Sequence, residues 1–372
     1  MDMDPSADQP TVQQSLNLPC PSCGSQLTYS ARHKKISCSH CGYLEEIDQT
    51  NDQVVERSLA TAAEQVSAFV PQEVGKKVFD CQNCGARFMV ESDQVKVKCG
   101  FCGSSNVNLD AYRKQYIQPV GIIPFYVSRD EAEQHFRQWI RRGWFHPNKL
   151  RKLAALEDLH GIYIPFWTYD AQTESVWRGE AGYYYYETRM VSINGKMQQQ
   201  RVQKVRWVFR SGHLNHFFDD VLVVASGGLQ QRDLERILPY RLEEVVNFDA
   251  RLMLGWEAEV YQLEVDRGYQ VADQIMDNKI RHMCSAQLGG DTQRNLQISS
   301  KKHSQTFKHI VLPVWICSYV FQDKVYHFTI NGQTGKVYGQ KPLSWIKIAI
   351  LVLLFVLFIL GIYLLRESGI MQ

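Results

Sequence analysis

The sequence predicts a multidomain chain: two small β modules, an α+β domain with a mainly antiparallel sheet, and one C-terminal transmembrane helix. Three observations carry that reading. Cysteines recur in two sets of identical spacing, an unbroken apolar run of 18 residues spans Ile348 to Leu365, and helix-like and strand-like patterns alternate between residues 109 and 343. At 372 residues, 45% hydrophobic and 22% charged, the composition is that of an ordinary globular protein. The formal net charge of +2 excludes a wholesale polycation and an acidic disordered protein, so any nucleic-acid or lipid surface has to be local.

Residues 1–18 carry Asp2, Asp4 and Asp8 and no Lys or Arg, the opposite of an export signal, and are expected to be a disordered cytosolic tail. The cysteines come next. Cys20, Cys23, Cys38 and Cys41 form one C-x2-C, fourteen residues, C-x2-C set; Cys81, Cys84, Cys99 and Cys102 repeat it 61 positions later. Each pair is followed by glycine (Gly24, Gly42, Gly85, Gly103), which supplies the positive φ that closes a metal-binding knuckle. Two such knuckles place four thiolates around one Zn2+, and the segments Gln26 to Ser37 and Arg87 to Lys98 are long enough for a hairpin. The expectation is two zinc ribbons, 19–44 and 78–108, each with one structural Zn2+. In a reducing compartment paired knuckles favour metal over disulfides, and four sulfur ligands leave no open position for catalysis. His40 is expected to be a bystander, and Cys284 and Cys317 to be buried small hydrophobes.

The first ribbon carries Arg32, His33, Lys34 and Lys35 and no acidic residue between Cys20 and Cys41. Arg32, Lys34 and Lys35 are therefore candidate phosphate or lipid contacts; a solvated hairpin tip and a protein contact stand beside that reading. Residues 45–77 are expected to be a linker, helical around Val54 to Phe69, that lets the ribbons move independently. In the 109–343 domain, Ser128 and Glu131 make a capping box for a helix through Arg142. Further helices are expected at Asn148 to Leu159, Gln230 to Leu238 and Val271 to Leu288. Strands are expected at Ile162 to Thr168, Ala181 to Tyr186, Val202 to Phe209, Asp219 to Ser226, Leu296 to Ser300, Lys308 to Val320 and Lys324 to Ile330. Asn194-Gly195 should turn a hairpin, and Asn331 to Gly335 should be the last turn. One phrase recurs as IIPFY at 122–126, YIPFW at 163–167 and VLPVW at 311–315, expected to mark three strand starts because proline is tolerated there. In the stretch 201–210, Lys204, Arg206 and Arg210 should share a solvated face, opposite a half-buried face of Val205, Trp207 and Phe209.

The apolar run covers roughly 27 Å at 1.5 Å per residue, enough to cross a bilayer, so 344–366 is expected to be a transmembrane helix and 367–372 a short tail. Lys336, Lys341 and Lys347 precede it against Arg366 after it, which places the large N-terminal part in the cytosol. No P-loop, H-E-x-x-H or G-x-S-x-G motif is present, and no enzyme is expected.

The CPSC/CSHC and CQNC/CGFC knuckles, the phrase LPVWICSYVFQDKVYHFTINGQTGKVYGQKP and the adjoining apolar run together resemble a family of bacterial membrane-anchored zinc-ribbon proteins, the YdjG-like family, over about residues 18–366. Members often carry a name borrowed from primosomal protein N-prime, a helicase. This sequence lacks a Walker A motif, and its contiguous cysteine sets differ from the helicase's interleaved ones. The resemblance implies a bacterial inner membrane and a platform working with SPFH-domain and PspA-like proteins in envelope stress. The leading expectation is a tail-anchored adaptor that recruits cytosolic protein partners. The alternative is a membrane-tethered nucleic-acid-binding protein without helicase activity of its own.

Overall fold

The computed structural model describes residues 18–47, 54–61, 68–69, 76–91, 99, 101, 104–105, 107–109, 116–142, 146–147, 159–193, 196–321 and 324–367. In order these hold β1 (Thr28–Ser30), β2 (Lys35–Ser37), β3 (Leu44–Glu45), β4 (Arg57–Ser58), β5 (Ala68–Phe69), β6 (Lys76–Cys81), β7 (Arg87–Glu91), β8 (Val107–Leu109), β9 (Tyr116–Ile117) and β10 (Gly121–Ile122). Then come α1 (Arg129–Arg141), β11 (Leu159–Ile193), β12 (Lys196–Val224), α2 (Gln231–Ile237), β13 (Val246–Asn247), β14 (Glu257–Glu259), α3 (Val265–Leu288), β15 (Thr292–Phe321), β16 (Lys324–Asn331), β17 (Val337–Gly339) and α4 (Trp345–Glu367). The protein is mainly β. Its large sheet is mixed: most pairings are antiparallel, while β10–β15 and β11–β14 run parallel.

Three very long strands dominate. β12, β11 and β15 lie side by side, and the strands expected as separate pieces are continuous within them. β15 pairs with β11 only as far as Thr292 opposite Gly182, so beyond that rung β11 and β12 continue as a two-stranded ribbon to Ile193 opposite Lys196. That last rung leaves room for a two-residue turn; Asn194 and Gly195 themselves lie outside the described residues.

The recurring phrases converge. β10, β15 and β11 are neighbours, with Ile122 level with Val311 and Ile164 level with Leu312. The expectation of three strand starts is corrected, because Pro165 and Pro313 sit inside β11 and β15. Neither removes a rung. In a strand, N and C=O of one residue point to the same side. The Pro165 carbonyl accepts from Ala225 N (3.0 Å), just past the end of β12, and the Pro313 carbonyl from Gly332 N (2.9 Å), just past the end of β16. Each proline nitrogen thus faces a place where the neighbouring strand has already stopped. The phrases also deliver Phe125, Tyr163 and Trp315 to one aromatic cluster with Trp256, whose ring stacks on Phe125 at 3.9 Å. The polar ends are satisfied: Tyr163 Oη donates to Leu252 O (3.1 Å) and Trp315 Nε1 to Val127 O (2.9 Å).

The helices follow sequence cues. α1 has the capping box, with Glu131 N donating to Ser128 Oγ and Ser128 N to Glu131 Oε2. α3 buries Val265, Gly268, Ala272, Met276, Ile280, Cys284 and Leu288, a three-to-four spacing that lays one stripe on the sheet beside Trp177 and Ala181. Gly268 is required there, since a Cβ would lie 2.3 Å from Tyr169 Oη. Cys284 and Cys317 are buried in the core. The helix expected at 148–159 falls on residues outside those described up to Leu159, which opens β11.

The linker is corrected where it is described. Residues 57–58 and 68–69 are strands, joined to β15 and β9, and residues 59–61 form one 3-10 turn; none of the described part is α-helical. Lys308 pairs with Glu56 at 3.2 Å and holds this segment to the sheet. Independent ribbons are corrected as well. β7 pairs with β14, making the second ribbon an extension of the large sheet. The first docks by Tyr29 N to Leu254 O (2.9 Å) and Trp256 Nε1 to Tyr29 O (3.1 Å), and Leu254 packs with Cys20, Leu27, Ile36 and Cys38.

Candidate metal centres

In the first ribbon, β1 and β2 form the hairpin between knuckles, with Tyr29 opposite Ile36, and both side chains are buried. At its base the sulfurs of Cys20, Cys23, Cys38 and Cys41 lie within 4.8 Å of one another. Cys20–Cys41 and Cys23–Cys38 are 3.5 Å apart. A disulfide requires about 2.05 Å. Sulfurs about 2.3 Å from one tetrahedral Zn2+ stand roughly 3.8 Å apart, which these distances approach. The turns close as their glycines demand: Gly24 has φ +74° and donates to Cys20 O at 2.8 Å, and Gly42 has φ +76° and donates to Cys38 O at 3.0 Å. His40 is exposed and outside the group.

The second centre repeats the arrangement. Cys81, Cys84 and Cys99 converge, with Cys84–Cys99 at 3.5 Å, and Gly85 (φ +79°) donates to Cys81 O at 2.9 Å. Cys102 lies outside the described residues. Both clusters could hold a metal ion, and an all-thiolate donor set suits structural zinc. Hydrogen bonds from Ser25 lower Cys23 to about 6; Cys41 is pushed up to about 12, the Tyr43 backbone bond opposing, and burial and the neighbouring sulfurs raising it. Four sulfurs this close ionise together only around a cation.

The candidate phosphate contacts are engaged within the chain. Arg32 forms an ion pair with Asp130, Lys34 stands 4.5 Å from the Tyr126 ring centroid, and Lys35 Nζ is 2.6 Å from Glu46 Oε1. The stretch 201–210 divides its faces as expected, with Arg206 and Arg210 exposed and Val205 and Trp207 half-buried, and departs from the expectation at Phe209. Arg210 donates to Leu288 O at the end of α3 (3.1 Å), whereas Phe209 is 67% exposed.

Three groupings extend the sequence reading; of the second, the run Tyr183 to Tyr186 with the stretch 201–210 is legible in the sequence as an aromatic and basic surface beside the solvated-face reading. Asp170, Asp219 and Asp220 cluster, yet the space is taken by an ammonium, Lys308 Nζ lying 2.7 Å from Asp220 Oδ1. Asp170 is raised to about 6 by burial, and its oxygens accept from Asp220 N (2.6 Å) and Thr306 Oγ1 (2.9 Å). The second grouping is an open sheet face. Val176, Tyr184 and Tyr186 of β11 and Phe209 and Phe217 of β12 share it, opposite the face that carries α3, and all are exposed. Val176 stands between buried neighbours, whereas Tyr184, Tyr186 and Phe209 each have an exposed one, so alternation marks only part of this face. The third joins α1 to the apolar helix: Lys341 donates to Trp139 O and to Arg142 O (3.1 Å), Lys347 to His146 O (2.9 Å), and His146 Nδ1 meets Pro342 O at 2.9 Å. Between 196 and 202 positions separate the partners, so no sequence signal connects them.

α4 is apolar on every side, and its stretch Trp345–Ile362 has no residue buried against the rest of the chain. It is long and apolar enough to cross a membrane.

Fold and site therefore define a mainly β chain with clustered cysteines and one candidate membrane helix. No family model matches the chain, and no solved structure matches it. It is 27% identical over 336 residues to the uncharacterized protein YdjG of Bacillus subtilis (strain 168), covering 89% of this chain and 91% of that protein. This similarity supports a YdjG-like relationship.

Proposed function

We propose that the protein is a membrane-anchored adaptor without enzymatic activity: α4 spans the membrane, the two cysteine centres hold structural Zn2+, and the open face of the long β ribbon binds a partner protein. The observation that carries this reading is that face. Phe209 and Phe217, 67% and 53% exposed, lie on it with Val176, Tyr184 and Tyr186, and Arg178, Lys301 and Arg201 outnumber Glu174 on it. Glu180, also there, is taken by Arg294 at 2.9 Å. A row of exposed aromatic and aliphatic side chains interspersed with cations suits a protein partner that offers apolar side chains among acidic ones. The lysines before α4 favour an N-terminal part in the cytosol at a bacterial inner membrane. SPFH-domain and PspA-like proteins, implied by the family resemblance, are the first partners to test.

The test is photocrosslinking in intact cells from a benzophenone residue at Phe209 or Phe217, with Arg129 on α1 as control position. One defined protein captured from both ribbon positions and not from the control is expected. Equal, diffuse labelling at all three would refute the adaptor reading. The alternative, a nucleic-acid binder, has less support because Arg32, Lys34 and Lys35 are each engaged by the chain's own side chains. Salt-sensitive recovery of DNA or RNA would favour it.

A further inference from the structure

We propose that the C-terminal end of α1 is a docking surface for anionic lipid headgroups, with Arg141 and Arg142 as the residues that bind them; this rests on the reading of α4 as a membrane span. The surface is assembled by the fold. The segment entering α4 is clasped to the end of α1 by Lys341, which donates to Trp139 O and Arg142 O and also stands 4.1 Å from the Trp139 ring centroid. Lys347, in the first turn of α4, and His146 add two more bonds to the clasp. The end of α1 is thereby fixed where α4 would leave the bilayer.

Charge decides what it can meet there. A helix C-terminus carries partial negative charge and attracts cations. Lys341 supplies that cation from outside the helix, and burial lowers its own pKa, with Arg142 adding to the effect. Arg141 and Arg142 are left exposed, with no ion pair to either among the described residues. From Gln134 through Leu156 the sequence contains no acidic residue. The carboxylates of α1, Asp130, Glu131 and Glu133, all lie in its first turns, where Asp130 pairs with Arg32 and Glu133 with Arg137 at 3.4 Å. An unneutralised guanidinium pair beside an aromatic residue at a membrane entry matches an anionic lipid surface, since arginine binds phosphate through a planar fork of donors. Tryptophans belong at the same depth, and Trp345 is exposed at the first position of α4.

The experiment uses the full chain in nanodiscs of phosphatidylcholine with phosphatidylglycerol, followed by native mass spectrometry of the lipids retained on release. Preferential retention of phosphatidylglycerol is expected. Arg141→Gln with Arg142→Gln should reduce it about fivefold per arginine, and high salt should weaken it. Arg141→Lys with Arg142→Lys, which keeps the charge and loses the fork, should fall between. Both side chains are exposed, so helix content should not change. Wild-type retention without preference, or an unchanged preference in the glutamine variant, overturns the proposal. A chain that enters no nanodisc of any composition overturns the membrane reading of α4 and this proposal with it, and that failure is seen before any lipid is counted.

Discussion

Arg32, at the tip of the first ribbon's hairpin, forms an ion pair with Asp130 in the first turn of α1. Both side chains are largely exposed, so the pair itself adds at most about 1 kcal/mol. Its meaning is positional. With Lys34 over Tyr126 and Trp256 bonded to Tyr29 O, it registers a small cysteine-built module on a large sheet.

Metal removal should therefore be felt beyond the ribbons. Two Zn2+ per chain are expected by elemental analysis, and Cys20→Ser with Cys23→Ser should leave one. Because Leu254 packs on Cys20 and Cys38, that variant should also speed hydrogen exchange across residues 250–256 while α3 stays protected. Unchanged exchange at 250–256 would show that docking does not depend on the metal.

Substituting Gly161 should loosen the same junction from the other side. A Cβ there would lie 2.2 Å from Trp256 Cζ3, so Gly161→Ala should cost about 1–3 kcal/mol in urea unfolding. Trp256→Ala opens the space. In that background the added methyl should cost much less, and equal costs in both backgrounds would refute the contact.

Glu259 should contribute a loss of stability as pH rises toward neutrality. Glu259 is fully buried, and desolvation raises it to about 7, although Gly227 N (2.9 Å) and Gly228 N (3.3 Å) donate to Oε1. The folded state then holds a proton that the unfolded state loses near its ordinary value, and the slope is negative between about 4.5 and 7. His309 opposes this below about 6.5: burial depresses it to about 4, so its contribution grows with pH until the unfolded imidazole is neutral. The Glu259 effect is cleanest between about 6.5 and 7. Glu259→Gln should flatten the urea-midpoint profile there, and a variant as steep as the wild type would exclude Glu259 as its source.

Truncation after Leu343 removes α4 and should move the protein from the carbonate-resistant membrane fraction to the soluble one. The first ribbon should remain folded, because its docking contacts lie at Leu254 and Trp256. Continued membrane association of the truncated chain would mean that α4 is not the anchor.

Local chemistry was the legible part of this fold. Cysteine spacing placed the knuckles, Ser128 with Glu131 placed the start of α1, and the three-to-four stripe ending at Leu288 placed α3, because each signal lies within a turn or two of the backbone it shapes. Strand length was not legible. Gly179 and Gly212 lie in the long strands between the pieces expected from the sequence, yet Gly212 admits Trp177 across it, as Gly182 inside an expected strand admits Val205, Trp207 and Thr292. The prolines misled for a related reason: whether Pro165 costs a rung depends on where β12 ends. Docking of the first ribbon rests on Tyr29 and Trp256, 227 positions apart, a relation that exists only once both chains of contacts have formed.

β11 starts at Leu159, which shares a core with Phe136 and Ile140 of α1 at the end that meets α4, and runs 35 residues from there. At about 3.3 Å per residue its contour is roughly 115 Å. If α4 is the anchor and the open face binds a partner as proposed, that hairpin would work as a ruler, setting the stand-off between bilayer and partner by residue count. Because side chains alternate with period two, removing two facing residues from each of β11 and β12 would shorten the reach by roughly 7 Å and leave every remaining side chain on its own face.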